Sequence, residues 1–178
     1  TVSKSDETDK PWGWGLSTHY PYNKKIDYLW LLIDGKAGTP LTRYQHSKTD
    51  INYLKYDVIN LPYYIRQNPK VLIVGVGGGR DILSALLFNA SFITGLEVNN
   101  DILKLVNDKF GDYTGNLNKL SNIRFINQEA RSYLSLSKDK FDIIQMSLID
   151  TWAATSAGAY TLTENALYTK EAWLDFLN

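Results

Sequence analysis

The stretch Lys70-Val71-Leu72-Ile73-Val74-Gly75-Val76-Gly77-Gly78-Gly79-Arg80-Asp81 decides the fold. Four apolar residues in a row, Val71 to Val74, have the pattern of a buried parallel strand. Glycines follow at once. Residues 80–89 then carry Ile82, Leu83, Leu86 and Leu87, which predicts a helix. A strand, a glycine-rich turn and a helix in that order open a βαβ unit. Glycines at 75, 77, 78 and 79 permit positive φ and a close approach of ligand to backbone. The start of the helix adds unpaired N–H groups and the positive end of its dipole.

The same alternation continues downstream. Ser91 to Val98 is expected as a second strand. Asp101 to Phe110 is expected as a helix, with Ile102, Leu105 and Val106 on one face. Asn122 to Asn127 and Phe141 to Met146 are further strands. Arg131 to Ser137 and Thr163 to Leu177 are further helices, the last with Thr163 as its N-cap. This order predicts an α/β fold, a Rossmann-like doubly wound and mainly parallel sheet with helices on both faces. A doubly wound sheet ordinarily continues beyond such a helix, so C-terminal strands are expected to be missing.

Upstream, Ile51, Leu54, Val58, Leu61 and Ile65 recur at helical spacing, with Pro62 expected to kink or shorten that helix. Tyr28 to Ile33 and Thr39 to Tyr44 flank Asp34-Gly35, a hairpin signal. Pro11 to Tyr22, rich in Trp and Tyr, is expected to be irregular and packed on the body. Thr1 to Lys10 reads as a disordered leader. Three regions follow: a polar and aromatic leader over 1–22, a small β-hairpin unit over 23–46, and a nucleoside-binding domain over 47–178.

The 178 residues suit one domain. Nineteen Lys and Arg against 19 Asp and Glu argue against a general nucleic-acid binder, which carries a basic excess. With no cysteine, disulfides and thiolate zinc sites are excluded. No run of about 18 apolar residues exists to span a membrane, and there is no signal-peptide core. A soluble, cytoplasmic domain is expected. His19 and His46 are too isolated to suggest a metal site.

The spacing of the glycines bears on the ligand. A dinucleotide fingerprint would place its third glycine at position 80, where Arg80 stands. No Lys follows the glycines to make a phosphate-binding P-loop. Glu97 closes the second strand, 18 residues after Gly79 (97 − 79), where an acid can accept from both ribose hydroxyls. Val98 adjoins it. Glu129 and Ala130 sit past the third strand at the same sheet edge; Glu129 can take the exocyclic amine of adenine or cap the helix from Arg131. Past the fourth strand come Ser147 and Asp150. Asp150 can orient an amine, act as a base or cap a helix. Trp152 and Tyr160 can wall a pocket, and the small residues 153–159 suit a lid or an ordinary loop.

These residues together resemble the spermidine synthase family of class I methyltransferase-like proteins. The likeness covers Ile33-Asp34-Gly35, Asn60-Leu61-Pro62, Val71 to Asp81, Glu97, Glu129 and Asp142 to Asp150. Asp150 to Tyr160, with Glu164-Asn165 and Leu167-Tyr168-Thr169, is similar to the spermidine-synthase-like domains of bacterial proteins that also carry membrane segments. The resemblance implies an S-adenosylmethionine or decarboxylated S-adenosylmethionine ligand held by Gly75, Gly77, Gly78, Gly79, Asp81, Glu97, Val98, Glu129 and Ala130. It implies a small-molecule acceptor, such as an amine, facing Asp150, Ser147 and Tyr160, and an N-terminal unit of the kind that mediates homodimers. In the full protein it implies fusion to membrane segments. Two departures stand out. The family's first catalytic aspartate after the fourth strand is Ser147 here, and the aspartate of its glycine loop is Gly78. A serine does not replace a carboxylate that holds a cationic amine, so aminopropyl transfer is the doubtful part of the expectation.

Overall fold

The computed structural model describes residues 1–4, 11–21, 25–33, 37–147 and 166–177. Its centre is a four-stranded parallel sheet in the order β6-β5-β4-β7, formed by β4 (Lys70–Val74), β5 (Phe92–Leu96), β6 (Ile123–Ile126) and β7 (Ile143–Gln145). The apolar run 71–74 is continuous because both faces of β4 are covered. Val71 and Ile73 face one core, with Ile82, Leu83 and Ile93. Leu72 and Val74 face another, with Leu96, Ala130 and Tyr133. Burial of each such Leu or Ile contributes about 1.5–3 kcal/mol. The expected Rossmann-like fold is present.

Helix α3 (Arg80–Leu87) follows the glycine turn. The helix expected over 101–110 is two pieces, α4 (Asn100–Lys104) and a π-helical turn, Leu105–Lys109. The one expected from Arg131 is α6 (Ala130–Leu136), after a short α5 (Gly111–Thr114). A last described helix spans Lys170–Leu177, after a 3-10 turn at Ala166–Tyr168. The helix expected over 51–65 is broken. It runs as α1 (Lys48–Ile51), two 3-10 turns (Asn52–Tyr56 and Val58–Asn60) and α2 (Leu61–Ile65). Pro62 lies in the first turn of α2, where its missing N–H costs no helical bond. Asp57 interrupts the chain before it with extended backbone, and its carboxylate accepts from the Ile59 N–H.

The N-terminal unit is a three-stranded antiparallel sheet rather than a hairpin alone. β2 (Tyr28–Ile33) pairs with β3 (Ala37–Thr42) as the sequence predicts. Val2–Lys4, within the stretch expected as a disordered leader, is β1 and pairs with β2 at Val2↔Leu31 and Lys4↔Leu29. Its amide ladder, and not a recognisable pattern over three residues, places it there. Leu31 and Leu41 of this unit pack on Ile102 and Val106. That contact sets the small sheet against the parallel one. Pro40 is accommodated in β3 because β3 is an edge strand. Among the described residues no helix is long and apolar enough to cross a membrane.

Candidate functional site

The glycine turn lies between the two sheets. Gly75, Gly77 and Gly79 have φ of +80°, +51° and +86°, values that favour glycine. Gly78 is needed for a different reason. A Cβ there would lie 2.0 Å from the Pro40 carbonyl oxygen and 3.0 Å from Thr39 Oγ1. The close approach at Gly78 is therefore to strand β3 of the small sheet. The turn's amides are also committed within the chain. Gly75 and Val76 donate to the Leu96 carbonyl at 2.9 and 3.2 Å, and Gly79 donates to Val76 at 2.9 Å. Gly77 donates to Glu97 Oε2 at 3.1 Å, and Gly78 to Thr39 Oγ1 at 3.0 Å. The turn is a preset shape, and its amides are not an open anion cradle.

Glu97 is buried at the carboxyl end of β5. Its second oxygen, Oε1, accepts from the Asn99 N–H at 3.0 Å. Each carboxylate oxygen thus holds one backbone donor and keeps a further lone pair. The orientation of the group is fixed from both sides. Asn127 reinforces it by donating to the carbonyls of Glu97 and Val98 at 2.8 and 2.9 Å. Val98 itself is 72 % exposed at this edge. Glu129 caps α6: Oε1 accepts from the Arg131 N–H at 2.9 Å, and Oε2 from the Ser132 N–H at 2.8 Å and its hydroxyl at 3.0 Å. Desolvation pushes its carboxyl up, but these donors outweigh it and hold the group below its ordinary value. Ala130 is buried in the first turn of that helix.

A second group of polar residues lies at the start of α3. Arg80 and Asp57 form an ion pair with side chains 6 % and 0 % exposed. Arg80 Nη1 is 3.9 Å from Asp81 Oδ1, and the Trp12 ring covers the guanidinium at 5.8 Å. Asp81 is buried, and burial pushes its carboxyl up more strongly than the nearby Ser147 hydroxyl and Arg80 pull it down. Ser147 accepts from Gln145 Nε2 at 3.3 Å, and Tyr63 donates to Gln145 Oε1 at 2.5 Å. A groove of about 440 Å³ runs along β7, the edge strand among the described residues, lined by Trp14, Ile59, Pro62, Gln145, Ser147 and Tyr168 among others.

The structure thus brings Gly75, Gly77, Gly78, Gly79 and Glu97 to one sheet edge, and Asp81 to Ser147. Asp150, Trp152 and Tyr160, with residues 153–159 and the cap expected at Thr163, lie outside the described residues. Thr39, Asp57, Tyr63 and Asn127 had no sequence signal of their own. Each acts across a long stretch of chain, from 23 residues for Asp57–Arg80 to 82 for Tyr63–Gln145.

No protein-family model matches the chain. Part of it is 31 % identical over 127 residues to a probable mRNA-capping enzyme of Acanthamoeba polyphaga mimivirus, covering 65 % of this chain and 11 % of that protein. Among solved structures it is similar to a spermidine synthase in complex with the transition-state analogue AdoDATO, with TM-score 0.54 and 17 % identity over 92 % of this chain. It is similar also to the spermidine synthase from Thermotoga maritima, with TM-score 0.53 and 17 % identity over 84 % of this chain. The chain spans about half the length of these two structures, 50 % and 48 %, and about a tenth of the viral protein, 11 %. At these identities the structural likeness establishes the fold: the chain has the Rossmann-like, methyltransferase-like architecture of the spermidine synthases.

Proposed function

We propose that the chain binds an S-adenosylmethionine-type nucleoside across the carboxyl ends of β4 and β5, as part of a transferase acting on a small-molecule acceptor. The observation that carries this is Glu97, a buried carboxylate fixed by the Gly77 and Asn99 amides with a lone pair left on each oxygen. A ribose presents two adjacent hydroxyl donors, which match two such acceptors. The positive-φ glycines at 75, 77 and 79 keep Cβ atoms away from the ligand. Val98 offers exposed apolar surface to the base, and Ala130 keeps bulk away from it. Glu129, though engaged as a cap, retains an acceptor site on Oε1 for an exocyclic amine. When bound, the ligand's sulfonium supplies an electrophilic carbon, ordinary or decarboxylated methionine alike. The chain's part is to position that carbon against the acceptor, with Asp150 and Tyr160 assigned to the acceptor side.

The likeness to the spermidine synthases supports an amine acceptor. The viral relative's name puts an RNA acceptor on the panel, but the balance of 19 basic and 19 acidic residues speaks against it. A second reading, a nucleoside-binding module without turnover, is favoured by Ser147 in place of the first aspartate. Titration calorimetry with S-adenosylmethionine, its decarboxylated form and methylthioadenosine tests binding, and an absence of binding by folded protein refutes both readings. Transfer to any member of an amine and methyl-acceptor panel, lost in Asp150→Ala, selects the transferase over the silent module.

A further inference from the structure

Asn127 directly follows β6, and its side chain reaches across to the end of β5. The parallel ladder between these strands closes at the pair Leu96↔Ile126, with a last amide bond from Glu97 to the Ile126 carbonyl at 3.1 Å. Beyond that pair the main chains part. The chain after β5 turns into α4, and the chain after β6 turns into α6. Asn127 continues the ladder with a side chain. Its Nδ2 donates to the Glu97 carbonyl at 2.8 Å and to the Val98 carbonyl at 2.9 Å.

The second of these bonds bears on the Glu97 carboxylate. The Val98 carbonyl and the Asn99 N–H belong to one planar peptide unit and point in opposite directions. Holding the carbonyl therefore aims the N–H. That N–H is the donor to Glu97 Oε1, at 3.0 Å. Packing does not hold this peptide, because Val98 is 72 % exposed. Asn127 is exposed as well, so its contribution is directional and owes little to apolar burial. Glu97 Oε2 is held independently. Its donor is Gly77, in the turn after β4. The two carboxylate oxygens thus have separate supports, and only the support of Oε1 runs through Asn127.

We infer that Asn127 is a positioning residue for nucleoside recognition. It aims the Asn99 N–H at Glu97 Oε1, and so sets the direction of the lone pair that Oε1 offers to one of the two ribose hydroxyls. This rests on the nucleoside-binding proposal. It adds an asymmetry that the bare pairing of Glu97 with a ribose does not contain: one hydroxyl depends on Asn127 and the other does not.

The test is a set of calorimetric titrations on the whole chain, with methylthioadenosine and its 2′-deoxy and 3′-deoxy counterparts. In wild type each deoxy compound is expected to bind about 10-fold more weakly, the worth of a hydrogen bond to a charged group. Asn127→Ala is expected to weaken methylthioadenosine by about 5- to 10-fold and to leave one deoxy compound within about 2-fold of its wild-type affinity. The preference for that hydroxyl then disappears, while the preference for the other stays near its wild-type value. A structural role alone would weaken all three ligands together and leave both preferences in place. In a Glu97→Gln background, Asn127→Ala is expected to change methylthioadenosine affinity by less than about 2-fold, because the two residues act through one contact. If Asn127→Ala does not fold, Asn127→Asp carries the test, since it removes both N–H donors and keeps the side chain's size; the same one-sided loss is expected. Two preferences that stay as in wild type, or that fall together, overturn the inference. So does an Asn127→Ala effect that is undiminished in Glu97→Gln. Wild-type binding of methylthioadenosine that is indifferent to Asn127 overturns this inference alone, whereas a folded wild type that binds none of the three ligands overturns the nucleoside proposal and this one with it.

Discussion

Gly78→Ala separates two reasons for a glycine in the turn. The φ at Gly78 is not in the left-handed region, so an alanine meets no backbone strain there. What it meets is β3: the new Cβ falls 2.0 Å from the Pro40 carbonyl oxygen and 2.7 Å from its carbon. Both are backbone atoms, so no side-chain rotation relieves the clash. The small sheet must move off the turn by more than an ångström, since ordinary contact begins at 3.4 Å. Leu41, next to Pro40 and fully buried with Ile102 and Val106, resists that movement. Overpacking of this kind costs about 1–3 kcal/mol, and loss of the Gly78 bond to Thr39 Oγ1 adds about 1 kcal/mol. Urea denaturation should therefore show Gly78→Ala less stable by about 2–4 kcal/mol, at an unchanged denaturant slope. An alanine variant within about 0.5 kcal/mol of wild type, but unable to bind nucleoside, would refute the packing account and assign the glycine to ligand approach.

Other outcomes follow from the same contacts. Arg80→Met leaves Asp57 and Asp81 buried without their cation and should cost about 3–5 kcal/mol in urea denaturation, whereas Arg80→Met with Asp57→Asn should regain much of it. Asp139 accepts from Lys70 Nζ, Tyr133 and Arg124, which together hold its carboxyl down to about 2. A depressed folded-state pKa gives stability that is present above the ordinary carboxylate value and is lost as pH falls through about 4 toward 2. Asp139 is a third exposed, so the effect is screened to about 1 kcal/mol or less; Asp139→Asn should flatten that acid limb in melting curves between pH 5 and 2.

The sheet was legible because its strands are short, apolar and separated by turn chemistry. Val71 to Val74 is buried on both sides, and that alone writes a continuous apolar run into the sequence. Glu97 was legible by its place at a strand's end, and its bonds to Gly77 and Asn99 follow from that place. What stayed hidden is non-local. The turn reads as a ligand loop, yet Thr39 and Pro40, 39 and 38 residues before Gly78 (78 − 39 and 78 − 40), take up one of its amides and its closest approach. Arg80 reads only as a missing third glycine, whereas the fold makes it the buried partner of Asp57. The periodicity over 51–65 is real as an apolar face, with Ile51 and Leu54 fully buried, but Val58, Leu61 and Ile65 are exposed because the chain breaks at Asp57. Val2–Lys4 carries too few residues for any period to show, and its partner strand begins 24 residues later (28 − 4).

Nucleoside binding through Glu97 is tested by a calorimetric titration of methylthioadenosine into wild-type protein and Glu97→Gln. The glutamine keeps the shape and one acceptor oxygen but loses the pair of acceptors that a ribose needs. Wild type is expected to bind one-to-one, and Glu97→Gln with an affinity lower by about 10-fold or more, the worth of a hydrogen bond to a charged group, with both proteins folded at the titration temperature. No binding by the folded wild type, or equal affinity in the two proteins, would contradict it.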